Sequence, residues 1–458
     1  MSKHYHFIGI GGTGLAPIAR VLLEQGNTVS GSDALISPLA EELRSMGATV
    51  YAGHKAEQIA GANIVIRSSA IQEDNVEVQA ARAAGIPVLR RVDFLQQLTA
   101  HQKVIAVAGT HGKTTTTAMV AWVLHQANLD PSFIIGGTSK NLKSNAHAGH
   151  GAYFVIEADE YDSMFLGLAP DYLILTIVEY DHPDCYPTHE AYIHAFQELV
   201  GKMKNDAILL VYADHPQTCE IGKWAEKAHR VLYYGSATFA DYRMKSIHHQ
   251  EQQGANFQLQ LPDGKTVSQD LSIPGDHNAF NAAAVLALVD VVGLSMESTC
   301  SALKQFSGTG RRFDTLGSFA GITLIDDYGH HPTEIRSTIQ AARSRYPQQR
   351  IIAVWQPHTY SRTQQLFQEY LDAFHASDMV IVTEIYASRE KQQNYSSQLI
   401  ASQIHHDNVH FIASIAEVVQ FLQKELKSGD VVLVLSAGDA YQINQQLSAQ
   451  LKERGKHA

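Results

Sequence analysis

The chain reads as an α/β protein of three domains, each a largely parallel sheet covered by helices. Three observations predict this. Short β-branched runs alternate with longer helix-like segments along most of the sequence. A length of 458 residues exceeds what one hydrophobic core usually serves. Two glycine-rich loops each follow an apolar run and open a helical pattern, one near residue 10 and one near residue 110.

The elements follow in order. Residues 1–100 hold strand patterns at 5–10, 28–32 and 64–69, with an amphipathic helix expected over 15–25. The polar patch Ala100-His101-Gln102 closes this first block. Residues 101–313 form the second block, with strands at 104–108, 154–156, 173–178, 207–211 and 231–234. An alternating section at 257–261 suggests antiparallel pairing, and Phe306-Ser307-Gly308-Thr309-Gly310 reads as the exit. Residues 314–458 repeat the α/β rhythm at 322–325, 351–355, 379–383 and 431–435. The polar tail 452–458 reads as a frayed terminus.

Composition excludes several classes. Hydrophobic residues at 45% and charged residues at 18% exclude a disordered or fibrous chain. A net charge of -11 disfavours nucleic acid, which needs a basic face. Cys185, Cys219 and Cys300 are scattered and odd in number, so neither a disulfide framework nor a cysteine zinc site is expected. The first apolar stretch, Phe7-Ile8-Gly9-Ile10, is too short for a signal segment, and other apolar runs fall far below the ~20 residues of a membrane span. A cytoplasmic protein without a membrane partner is expected.

The first motif is Gly9-Ile10-Gly11-Gly12-Thr13-Gly14, which fits G-x-G-x-x-G between a strand and a helix. Bare glycines let backbone approach a pyrophosphate, and the helix N-terminus stabilises its charge. Asp33 ends the second strand pattern, where such folds place an acid. The pattern makes this domain Rossmann-like and points to a diphosphate-containing nucleotide without saying which.

The second motif is sharper. A buried strand runs into Gly109-Thr110-His111-Gly112-Lys113-Thr114-Thr115, a variant P-loop with Val107 where the strict pattern has glycine. Backbone N–H groups there cradle phosphate, Lys113 reaches the terminal phosphates and the Thr114 hydroxyl suits magnesium. The acidic run Glu157-Ala158-Asp159-Glu160-Tyr161-Asp162 follows another strand, and four acids so close call for cations among them. Asp181-His182-Pro183-Asp184 follows the next strand and could add a ligand.

Further polar clusters sit at strand ends and domain joints. Asp276-His277-Asn278-Ala279-Phe280-Asn281 begins an alanine-rich helix, where asparagines could cap it or contact a base. Arg311-Arg312 lies at the second domain joint. Asp326-Asp327-Tyr328-Gly329-His330-His331-Pro332 and Gln356-Pro357-His358-Thr359-Tyr360-Ser361-Arg362-Thr363 repeat one strand-to-helix arrangement.

Taken together, these motifs resemble the Mur ligase family over essentially the whole chain, and within it the L-alanine-adding branch. The resemblance implies a first domain binding the UDP of UDP-N-acetylmuramate, a P-loop ATPase-type central domain, and a Rossmann-like C-terminal domain forming the amino-acid site with His331, His358 and Arg362. It implies ATP on residues 109–115, Asn278 near adenine, Arg311 reaching the phosphates and Asp327 near ribose. It carries Mg2+ ligation onto Thr114, Glu157 and His182, so that Lys113, Glu157, His182 and Arg311 form the catalytic set. Three features depart from the branch: Thr359 stands where arginine is frequent, Tyr161 where serine is usual, and Leu15-Ala16-Pro17 replaces Met-Ser-Gly.

The resemblance predicts an amide ligase that joins L-alanine to UDP-N-acetylmuramate at the expense of ATP, as a monomer or weak homodimer. Tyr161 leans towards a related murein-tripeptide ligase with the same chemistry. An NAD-dependent dehydrogenase on the first glycine loop and a nucleotide-gated binding protein are the rivals from other classes.

Overall fold

The computed structural model describes residues 2–454. The chain folds into two compact units. One gathers residues 1–179, 189–241 and 284–302; the other gathers 180–188, 242–283 and 303–458.

The first unit contains two sheets. In the smaller one the strands lie in the order Thr49–Ala52, Thr28–Asp33, His4–Ile8, Ile64–Arg67, Val88–Arg90, all parallel. The chain reverses its winding direction between His4–Ile8 and Ile64–Arg67. Such a switch point opens a crevice at the strand C-termini, and the glycine loop follows His4–Ile8 there. Helix Ala16–Glu24 carries Pro17 in its first turn, where a missing N–H costs nothing.

In the larger sheet of this unit, Lys103–Ala108 lies between Tyr172–Leu175 and Tyr153–Glu157. Its residues Val104 to Ala108 are buried, as expected of an apolar run covered on both faces. Ser132–Ser139 continues in parallel beyond Tyr153–Glu157, and Ser144–His147 adds an antiparallel edge. Helix Lys113–Gln126 is buried from Thr114 through Leu124, and Trp122 Nε1 donates to the Ala302 carbonyl at 2.8 Å.

The second unit holds a six-stranded sheet in the order Asp314–Phe319, Ile322–Asp327, Val431–Leu435, Ile351–Trp355, Met379–Val382, Val409–Phe411. Only the edge strand Asp314–Phe319 is antiparallel. Branched side chains pack on both faces, with Trp355, Tyr370 and Phe374 in one core and Leu324, Ile381 and Leu447 in the other. The strands Tyr242–His249, Ala255–Gln260 and Thr266–Asp270 pair antiparallel, as the alternation around Phe257 predicts. Segment 180–188 joins this unit through ion pairs of Asp181 with Arg362 and Asp184 with Arg389.

The expected frayed tail is corrected in part. Helix Tyr441–Arg454 carries the chain through its polar end because Leu447 and Leu451 are buried along one side. Residues 455–458 lie outside the described residues. Among the described residues no helix is long and apolar enough to cross a membrane.

Candidate functional site

The second glycine loop owes its shape to two glycines with positive φ. Gly109 at +131° leaves the strand, and a Cβ there would lie 2.1 Å from Thr176 Oγ1. Gly112 at +84° opens helix Lys113–Gln126, leaving its first N–H groups directed into the loop. Thr110 is pinned beneath, donating to the Glu179 carbonyl at 2.6 Å and meeting Tyr192 Oη at 2.8 Å. His111 Nε2 lies 3.0 Å from Glu179 Oε2.

Lys113 curls back over this loop. Its Nζ donates to the carbonyls of Gly109 (2.6 Å) and Thr110 (3.0 Å) and to Glu160 Oε1 (2.9 Å). Burial pushes the Glu160 carboxyl up to about 7, with Lys113 pulling against it. Burial also opposes charge on Lys113, but Glu160, Glu157 and Asp159 together raise its ammonium above the ordinary value. The lysine stays charged, while the Glu160 carboxyl takes a proton more readily than an ordinary one.

Two of the three expected metal ligands meet in this unit. Thr114 Oγ1 donates to Glu157 Oε1 at 3.0 Å, and the Gly136 N–H donates to Glu157 Oε2 at 2.7 Å. A Cβ on Gly136 would fall 2.5 Å from both carboxylate oxygens, so glycine is what lets Glu157 lie there. Hydroxyl and carboxylate oxygens are the donor set magnesium prefers.

The first glycine loop gathers its predicted partners as well. The Gly11 N–H donates to Asp33 Oδ2 at 2.9 Å, and Ser37 Oγ donates to the Gly11 carbonyl. Gly9 has a φ of +87°, and Gly12 and Thr13 are exposed. Arg91, which sequence reasoning missed, lies where a Cβ on Gly14 would meet its Nη1 at 2.9 Å. The same Nη1 is 3.7 Å from Asp159, so one guanidinium borders both the glycine loop and the acidic loop.

The second unit presents a different assembly. Arg362 Nε and Nη2 donate to Asp181 Oδ1 and Oδ2 at 2.8 and 3.2 Å, both side chains buried. Burial opposes ionisation of Asp181, but Arg362 and His182 hold its carboxyl well below the usual range. His358 Nδ1 lies 3.1 Å from Arg362 Nη1, and burial pushes its imidazole down to about 2, with His330, Arg362 and Arg389 adding to the effect. His182 has a φ of 56° and its N–H donates to Asp181 Oδ1. Asp181 is a bystander in its sequence motif; only the fold reveals its partner 181 residues away.

Other expected site residues have local partners. Asp327 accepts from the N–H groups of Phe313 and Gly329, each at 2.7 Å, and burial raises its carboxyl. Arg311 Nη2 donates to the Ser436 carbonyl at 2.5 Å, and the guanidinium lies over the rings of Tyr328 and Tyr441. Beside it burial pushes Asp326 up to about 6. His331 caps helix Pro332–Arg345, its Nδ1 accepting from Thr333 N–H. Asn278 is buried at the start of helix Asp276–Val292, where Nδ2 donates to the Pro274 carbonyl at 2.7 Å and Oδ1 accepts from Asn281. Both bonds tie Asn278 to its own helix and the turn before it.

Three family models match the chain: the Mur ligase family catalytic domain over 4–103, the Mur ligase middle domain over 107–289, and the Mur ligase glutamate ligase domain over 311–438. A UDP-N-acetylmuramate–L-alanine ligase of Roseiflexus sp. (strain RS-1) is 39% identical, covering 98% of this chain and all of that one. Among solved structures, the UDP-N-acetylmuramate-alanine ligase MurC of Thermotoga maritima superposes with a TM-score of 0.83 at 27% identity, over 98% of this chain and 99% of the other. A murein peptide ligase of Psychrobacter arcticus gives 0.71 at 26%, over the same shares.

Proposed function

The chain belongs to the Mur ligase family, and on that premise we propose that it is an ATP-dependent amide ligase of peptidoglycan synthesis, joining L-alanine to UDP-N-acetylmuramate. One observation ties this reading to the site: Lys113, Thr114, Glu157 and Glu160 converge where two buried parallel strands end. A dehydrogenase has no role for that cluster, and a tripeptide ligase is the less similar relative in fold.

ATP passes its γ-phosphoryl group to the lactyl carboxylate, giving ADP and an acyl phosphate. The L-alanine amine attacks the acyl carbon, phosphate leaves with the C–O bonding electrons, and the nitrogen gives up a proton. Such transfers are catalysed mostly by positioning and electrostatics. Lys113 would exchange its loop carbonyls and Glu160 for the terminal phosphates, with Arg311 adding charge. Magnesium, when bound, would supply charge neutralisation for the transferring phosphoryl group. Thr114 and Glu157 would be the oxygen donors for it, and His182 is the third ligand that the family resemblance implies.

The assignment gives residues 1–100 the UDP-sugar, on Gly9, Gly11, Gly12, Thr13, Gly14 and Asp33. Residues 101–313 take ATP, and 314–458 take the amino acid with His331, His358 and Arg362. With it goes a cytoplasmic enzyme, monomer or weak homodimer, with no nucleic-acid or membrane partner.

The test is a matrix of UDP-muramyl acceptors against L-alanine, glycine, L-serine and L-alanyl-γ-D-glutamyl-diaminopimelate, read by phosphate release. One methyl or hydroxyl separates the small donors, so L-alanine should lead glycine and L-serine by roughly one to two orders of magnitude. A faster rate with the tripeptide overturns the donor assignment.

A further inference from the structure

The amino-acid donor brings a carboxylate that does not react and must be held away from the acyl carbon. A group that binds it has to be charged and reachable. Three basic side chains lie together in the second unit, and they differ in both respects.

Arg362 is buried, with two of its nitrogens already on Asp181. His358 is buried too, and burial keeps its imidazole neutral. Arg389 is 40% exposed. Its Nε and Nη2 converge on Asp184 Oδ2 at 2.9 and 2.6 Å, so a carboxylate oxygen already sits in the guanidinium fork. A half-solvated pair of this kind is weak and exchanges readily with another carboxylate.

The backbone brings this arginine alongside His358. Thr359 N–H donates to the Tyr386 carbonyl at 2.9 Å, Tyr386 N–H donates to the Pro357 carbonyl, and the Tyr386 ring stacks on His358 at 5.9 Å. Tyr360 N–H donates to Glu390 Oε2 at 2.6 Å. Residues 386–390 are therefore laced to 357–361, and Arg389 is the exposed cation of that lacing.

We propose, resting on the ligase reading above, that Arg389 binds the α-carboxylate of the incoming L-alanine, with Asp184 holding the guanidinium until the donor arrives. This makes Arg389 a specificity residue. In an alanine-leading peptide that carboxyl is an uncharged amide, and the arginine finds no partner.

The experiment compares L-alanine with L-alaninamide, which lacks only that charge, on the full-length enzyme by initial rates of phosphate release. Arg389→Ala should raise KM for L-alanine about 10- to 100-fold, the range for a lost charge-assisted hydrogen bond. KM for L-alaninamide, ATP and UDP-N-acetylmuramate should stay near wild type, so that the preference for the free acid collapses. Arg389→Lys should retain part of that preference, and it decides the matter if the alanine variant folds poorly. Asp184→Asn should leave KM for L-alanine equal or lower, because it removes the competing carboxylate charge. An equal rise for both donors, or no rise for either, overturns the assignment of Arg389. Wild-type enzyme that releases no phosphate in response to L-alanine would instead overturn the ligase reading on which it rests.

Discussion

Two buried ion pairs, one in each unit, look alike by distance and differ in what can be done with them. Lys113–Glu160 closes at 2.9 Å and Arg362–Asp181 at 2.8 Å, with little exposure in either. Glu160 is pushed up to about 7 and lies among other carboxylates, while Asp181 is held well below its usual range by a guanidinium gripping both oxygens. Lys113 divides its three protons between Glu160 and two loop carbonyls. The first pair can be opened, because Glu160 can take a proton and Lys113 can find other acceptors. The second cannot, because arginine does not deprotonate. One pair is a contact that can be exchanged, and the other is a brace.

Breaking the brace should produce the largest change. Asp181→Ala leaves the Arg362 guanidinium buried without its partner, and should cost about 3–5 kcal/mol of stability. Denaturant unfolding of the ligand-free enzyme measures it. A loss no larger than that of a surface substitution would mean the pair is not a brace.

Lys113→Ala separates the pairs by function. It should lower turnover by about 10²–10³, the cost of one lost transition-state donor, while Glu160 takes a proton and stability changes little. Calorimetry with UDP-N-acetylmuramate should show binding unchanged, since Gly9 to Gly14 lie on a different sheet. A large loss of that binding would contradict the assignment of the UDP-sugar to residues 1–100.

A more gradual effect is a dependence on pH. The folded-state pKa of Glu160, about 7, lies above its ordinary 4.5. The folded state therefore holds the extra proton between those values, and stability falls as pH rises from about 4.5 to 7. Glu160→Gln removes this dependence. The stability difference between variant and wild type should drift by at most about 1.4 kcal/mol per pH unit across that window and flatten above it. Parallel curves would mean Glu160 ionises at its ordinary pKa.

The same contrast separates what was legible in the sequence. The loop at 109–115 is contiguous: strand, two glycines, lysine and threonine fall within a few positions of one another, so the residue order dictates backbone shape. Strands at 104–108, 322–325, 351–355 and 431–435 were legible for the same reason, because burial on both faces demands unbroken apolar runs. Short edge strands such as Thr49–Ala52, Val88–Arg90 and Ser144–His147 carry too few apolar residues to announce themselves.

By itself, then, the sequence determined the α/β class and the two glycine loops, because each depends on neighbours within about ten positions. Tertiary structure alone decided which acid of the 157–162 run meets Lys113, that Gly136 makes room for Glu157, and that Arg91 borders two loops. It alone joined Asp181 to Arg362 and Asp184 to Arg389, across 181 and 205 positions. A charged side chain carries no mark of its partner in its own neighbourhood; burial and sheet order choose the partner, and through it the charge the group keeps.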